Sequence, residues 1–229
     1  MNLKVLSAIA IATIVTSFNS CKKDTTASTD ANVQIVQASP NGPSVDGYVN
    51  GSLRVTNLSY GNASAYFATS AGTNNIKVTS TGTTTAIFNV DINLEAGKFY
   101  SVFVIDSASK AKAATTNDDM TPPASGKSRI RFLDFIPNSP RIDLAVTGSS
   151  TIFTNRSFND QVTNTAVQNF TEVNAGNLNL ELRLTGTSTV ILPIPTITLQ
   201  AGKIYTIYAR GFVGGTASQA LNYQLITHN

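Results

Sequence analysis

The strongest constraint on this chain is that it carries one pattern twice. Pro40-Asn41-Gly42-Pro43-Ser44-Val45-Asp46 is answered ninety-seven residues later by Pro137-Asn138-Ser139-Pro140-Arg141-Ile142-Asp143. Each phrase lies between two β-rich runs, the first preceded by Val33-Gln34-Ile35-Val36 and the second by Ile130-Arg131-Phe132-Leu133. Near the end of each copy, Leu94-Glu95-Ala96-Gly97-Lys98-Phe99-Tyr100 is matched by Leu199-Gln200-Ala201-Gly202-Lys203-Ile204-Tyr205. The similarity therefore spans a domain, and an internal repeat has to be recognised before the fold is assigned.

Ahead of the repeat, Lys4 precedes an apolar run from Val5 to Val15, and a polar patch leads to Cys21, the only cysteine. A basic start, a short apolar core and a small residue before the cut describe a secretory signal, and the core is too short for the roughly 20 residues of a membrane-spanning helix. Residues 1–20 are thus expected to be a signal peptide. The placement of Cys21 resembles a bacterial lipoprotein signal, in which the cysteine carries the lipid, although Phe18 and Asn19 depart from the usual Leu and small residue; an ordinary secretory signal with a stray thiol, or an uncleaved anchor, is the alternative. Residues 21–30 are small, polar and without apolar periodicity, as a flexible tether should be. A lone cysteine allows no intrachain disulfide.

The remaining 200 or so residues suit two ordinary domains, expected at 31–115 and 129–229 with a linker at 116–128 around Asn117-Asp118-Asp119 and Pro122-Pro123. Phe88, Val90, Ile92 and Leu94 alternate with Asn89, Asp91 and Asn93, the period of a strand with one wet face. Leu178, Leu180, Leu182 and Leu184 repeat the pattern. Lys98 to Ile105 is apolar on both faces and reads as a central strand. Asn50-Gly51 is the strongest hairpin signal, and Pro193 and Pro195 predict a short or edge strand because proline cannot donate to a ladder. About seven short strands per copy, with turn residues every 8 to 12 positions, predict an all-β chain of two tandem immunoglobulin-like antiparallel β-sandwich domains.

Ser39-Pro40 with Val45-Asp46, Tyr60-Gly61, Tyr66, Ala71-Gly72 and Ala96-Gly97-Lys98 with Tyr100 resemble the bacterial secreted domain of unknown function family numbered 4397. Gly126-Lys127-Ser128-Arg129-Ile130-Arg131-Phe132 is similar to the start of a second copy, more divergent because Ile136, Phe158-Asn159 and Phe170 stand where the first has Ser39, Tyr60-Gly61 and Tyr66. The resemblance implies a paired β-sandwich exported to the envelope of a Gram-negative bacterium or secreted, with no activity to carry over.

Little in the sequence points to chemistry. The only histidine, His228, is one residue from the end and is expected to be an exposed tail residue, which removes a Ser-His-Asp triad or a histidine metal site. No phosphate loop and no calcium-loop pattern occurs, and no catalytic residue, metal or cofactor is expected. Without Lys4 the charge is about +2 from fifteen basic and thirteen acidic residues, too slight for nucleic acid. The candidate ligand residues are the equivalent acids Asp46 and Asp143, with strand-start hydrogen bonding as the alternative, and Tyr48, Tyr60 and Tyr66 as stacking surfaces in a chain without tryptophan. Asn117-Asp118-Asp119 could hold calcium between the domains, against a solvated linker. The expected protein is a non-catalytic interaction or structural module, anchored to the envelope at the outer membrane by lipid on Cys21 and meeting an envelope protein or a glycan. A carbohydrate-binding surface lipoprotein is the alternative.

Overall fold

The computed structural model describes residues 29–229. The signal segment, Cys21 and the tether up to residue 28 lie outside the described residues.

The first half forms β1 (Asp30–Gln37), β2 (Val45–Val49), β3 (Ser52–Leu58), β4 (Phe67–Ser70), β5 (Gly72–Ser80), β6 (Ala86–Leu94), β7 (Phe99–Ile105) and β8 (Lys112–Asn117). The second forms β9 (Lys127–Asp134), β10 (Ile142–Val146), β11 (Thr151–Arg156), β12 (Thr171–Asn174), β13 (Gly176–Leu184), β14 (Val190–Leu199), β15 (Ile204–Arg210) and β16 (Asn222–Thr227). Sheet orders β4-β1-β7-β8 and β3-β2-β5-β6 recur as β12-β9-β15-β16 and β11-β10-β13-β14, so the two halves have one topology. Asn50 and Gly51, with φ of 50° and 79°, turn β2 into β3 as the hairpin signal requires. The prolines place β14 at a sheet edge, but it is ten residues long rather than short, its ladder with β13 shifting register at Leu178/Leu180 and Leu182/Arg183.

Two features depart from the expected antiparallel, seven-stranded sandwich. Each half has eight strands, the extra one being the four-residue β4 or β12. Each inner sheet also contains one parallel pair, β1 with β7 and β9 with β15. In each half the intervening strands serve as the long crossover that a parallel pair demands.

Val33, Ile35, Val102 and Val104 from the inner sheet meet Val45, Ile76, Val78 and Phe88 from the outer one to make the first core. Ile130, Phe132, Ile142, Leu144, Leu180 and Ile207 make the second. A third core lies between the halves. Val36, Ala38, Phe103 and Ile105 pack against Leu133, Phe135, Tyr208 and Ile226, with the Phe103 and Phe135 rings 4.7 Å apart. This explains why β7 is apolar on both faces: Val102 and Val104 fill its own sandwich while Phe103 and Ile105 cover the other half.

Candidate functional site

The junction between the inner sheets becomes polar at one end, and the repeat explains which residues meet there. Strand alternation puts Gln34 on the same face as Val36, and at the equivalent position of β9 places Arg131 beside Leu133. Register gives Gln34 the neighbour Ser101 and Arg131 the neighbour Thr206. Asn117 pairs with Tyr100 and Thr227 with Tyr205, so the residues that follow, Asp118 and His228, are equivalents as well. The expectation of an exposed His228 is thus corrected: its side chain is fully buried, because alternation along β16 carries Ile226 and then His228 into the junction.

These groups close a ring of hydrogen bonds. Arg131 donates through Nη2 to Asp118 Oδ1 and through Nε to Thr206 Oγ1 at 2.8 Å. Thr206 Oγ1 lies 2.7 Å from His228 Nε2, and His228 Nδ1 lies 2.7 Å from the Tyr66 hydroxyl, which donates to Asp118 Oδ2 at 2.6 Å. With Tyr66 donating to the carboxylate, the arrangement that satisfies every member has Thr206 donating to Nε2 and Nδ1–H donating to Tyr66, hence a neutral imidazole. Gln34 supplies its amide hydrogens to Ser101 at 2.7 Å and Tyr66 at 3.1 Å, and Ser101 and Thr116 donate to Asp118. Burial, helped by the adjacent Arg131 and opposed by Asp118, lowers the His228 pKa to about 4. Burial and the Asp118 carboxylate push the Tyr66 phenol well above its ordinary range. The segment expected to be a solvated linker is therefore tied down at Asp118, and the strands run on to Asn117 and resume at Lys127.

Directly above this ring lies an open cleft of about 960 Å³. Its walls are Lys98 and Phe99 from the start of β7, the connection from Asn117 to Thr121, Arg129 on β9, and a segment from Thr165 to Phe170. That last wall belongs to a connection that is longer in the second half, and its end, Phe170, takes the place of Tyr66. The offset between equivalent residues is 98 at Leu58 and Arg156 but 104 at Phe67 and Thr171, an insertion of six residues between β11 and β12. Within it, Val167 is buried, and the Gln168 side chain accepts from the Asn117 amide at 3.0 Å and donates to the Gln161 carbonyl at 3.0 Å. Arg129 pairs with Asp119 at 2.7 Å, and Thr121 donates twice to the same carboxylate, which holds that acid well below the usual range. Phe170 lies under the Arg131 guanidinium at 4.6 Å with the His228 ring edge-on at 5.7 Å.

Of the candidate ligand residues Asp46, Asp143, Tyr48, Tyr60 and Tyr66, only Tyr66 joins this ring, where it meets Asp118 and His228. Asp46 accepts from the Asn57 and Gly82 amides and from Thr81, while Asp143 accepts from Asn155, Gly186 and Thr185 in the same geometry. Each carboxylate ties a bulged strand, at Asn57 or Asn155, to the turn at Gly82 or Gly186. Asp46→Ala or Asp143→Ala is expected to cost about 1–3 kcal/mol, read as a lower urea midpoint, because backbone amides are left unpaired. Tyr48 lies on β2 with Lys77 Nζ 5.5 Å from its ring, and Tyr60 is covered by Arg210 at 4.6 Å. Among the described residues no group of three or more His, Cys, Asp or Glu is placed to hold a metal ion, and no helix is long and apolar enough to cross a membrane.

Fold and junction together define an all-β protein of two sandwich-like halves with a polar cleft where they meet. The family model described as domain of unknown function DUF4397 matches residues 31–145, half of the chain, and the chain belongs to that family. The match covers the first half and continues into β10 of the second. No curated protein matches the chain. A solved structure described as "Alpha-glucan binding by a streptococcal virulence factor" is similar at 11% identity over 78% of this chain and 92% of that one, with a TM-score of 0.26, a superposition too loose to carry an argument.

Proposed function

We propose that this chain is an exported, non-catalytic binding module, held at the bacterial envelope by lipid on Cys21, that engages its ligand or partner at the junction cleft. The observation that carries the reading is the buried ring of Arg131, Asp118, Tyr66, His228 and Thr206 beneath that cleft. Pockets favour domain boundaries, and a cleft whose two walls are joined below by satisfied hydrogen bonds is preorganised, which lowers the ordering cost of binding. A non-catalytic role is supported by where the acids go: Asp46, Asp143 and Asp118 accept bonds from amides, hydroxyls or Arg131, and none faces a second free carboxyl across the cleft. We read the second half as a divergent tandem copy of the family domain, supported by the shared sheet order and by the matched Asp46 and Asp143 clamps. The outer membrane of a Gram-negative bacterium is the proposed location, with an envelope protein or a glycan as the partner class and nucleic acid left out by the slight charge.

Mass spectrometry of the mature N-terminus is expected to show cleavage before Cys21 and a diacyl or triacyl mass on it; an uncut or unlipidated chain would refute the anchor. Binding is tested by capture from native membranes with the mature protein beside a glycan array. A single saturable ligand supports the module, and no retention by either route overturns it.

A further inference from the structure

We propose that the junction cleft takes an uncharged oligosaccharide, seated on Phe170 and Phe99 and held by Asp119, Arg129, Asn169 and Asn117; this rests on the binding-module reading above and names its ligand. Three features of the cleft select that chemistry.

The first is its origin. A duplicated unit keeps its frame wherever both copies need the same packing, and here the frame breaks by six residues at the segment that becomes a wall of the cleft. The first half closes its sandwich without that segment, so the core does not require it. The second is charge. Asp118 is matched by Arg131 and Asp119 by Arg129, leaving Lys98 as the one lining charge with no ion-pair partner among the described residues. Such a surface neither collects nor repels ions strongly, which disfavours nucleotides and strongly acidic ligands.

The third is the mixture of groups. Phe99, Phe170 and Met120 give an apolar floor, and around it stand the Asp119 and Arg129 forks with the side chains of Asn117, Asn169 and Thr165, which make no hydrogen bond to the described residues. A pyranose ring has an apolar C–H face and a rim of hydroxyls that each donate and accept, so it satisfies both parts at once; a site built to bond hydroxyls discriminates through the polar groups it would otherwise leave unpaired. An extended peptide fits less well, because it would seek free strand-edge amides and the Asn117 amide at the end of β8 is already taken by Gln168.

The test uses the mature protein against an array of neutral and acidic oligosaccharides, followed by titration calorimetry with the best neutral binder. Ala166→Trp places a bulky ring in the cleft from an exposed position and is expected to abolish retention while leaving the thermal midpoint unchanged. Asn169→Ala, also exposed, is expected to weaken binding five- to tenfold, the loss of about one hydrogen bond. Retention of a neutral oligosaccharide that both variants weaken supports the site. Retention of acidic glycans alone, no retention, or retention indifferent to Ala166→Trp overturns it. An envelope protein captured saturably with no glycan bound also overturns this inference, and leaves the binding-module reading standing.

Discussion

Arg131→Met is expected to destabilise the folded chain by roughly 3–5 kcal/mol, since it removes one partner of a fully buried ion pair and leaves Asp118 charged and uncompensated. Asp118 would keep its bonds from Ser101, Tyr66 and Thr116, but those neutral donors cannot replace a guanidinium in a dry junction. The double variant Arg131→Met with Asp118→Leu should lose less than the two single losses added together, because no buried charge is then left alone, while the hydroxyls that served Asp118 still lose their acceptor. Urea unfolding of wild type, both single variants and the double variant makes a closed cycle. Strict additivity of the two losses would show that the residues do not act as a pair. Because the network joins the halves, the single variants should also loosen the cleft above it, seen as faster amide exchange in residues 117–121 and 165–170.

The second large effect concerns acid, and two buried groups push in opposite directions. His228 titrates at about 4 in the folded chain against 6.5 unfolded, so between those values the unfolded state binds more protons and stability falls as pH falls. Above pH 6.5 this group exacts no penalty. Asp134 behaves the other way: burial, with a smaller push from Asp160, raises its pKa from 3.8 to about 7 against the pull of its bonds from Ser139 and the Ile136 amide. The folded state then binds the extra proton, so this stability is complete below pH 3.8 and is lost as pH rises through 7. Either term approaches roughly 3–4 kcal/mol at full extent, at about 1.4 kcal/mol per pKa unit. Between pH 4 and 6.5 they largely cancel. His228→Gln is therefore expected to gain stability on acidification from pH 7 to 4.5, and Asp134→Asn to lose it, while wild type changes little between the two. Urea midpoints at both pH values decide; parallel shifts for the three proteins would sink the assignment. The neutral Asn has a precedent in the fold, since the first half has Gln37 at the equivalent position, where its amide oxygen accepts from the Ser39 amide.

Much of the architecture was legible in the residues. The repeat, the glycine and asparagine turns, the alternation of β6 and β13 and the edge position of β14 follow from local rules of side-chain direction and backbone freedom. The parallel pairs β1 with β7 and β9 with β15 were not legible, because alternation along a strand is the same whichever way its neighbour runs. The cleft was missed for a related reason: Asp119 and Arg129 stand in a different part of the chain from Asn169 and Phe170 and share no motif with them. One signal did exist for the buried ring. Carrying the repeat's register beyond β8 and β16 aligns Asp118 with His228, and the same register sets Gln34 against Arg131, polar pairs at one end of the strands that carry the apolar junction residues Ala114, Ile226, Val36 and Leu133.

By itself, then, the sequence determined that two like-built units of β structure form and which residues along each strand turn inward, since both depend on contacts within a few residues. Only the tertiary structure decided what covers those inward faces. Whether a side chain such as Arg131 or His228 meets its own sandwich or the opposite one depends on how two finished sheets dock, and that docking buries an ion pair, encloses a histidine near the chain end and opens the cleft between them.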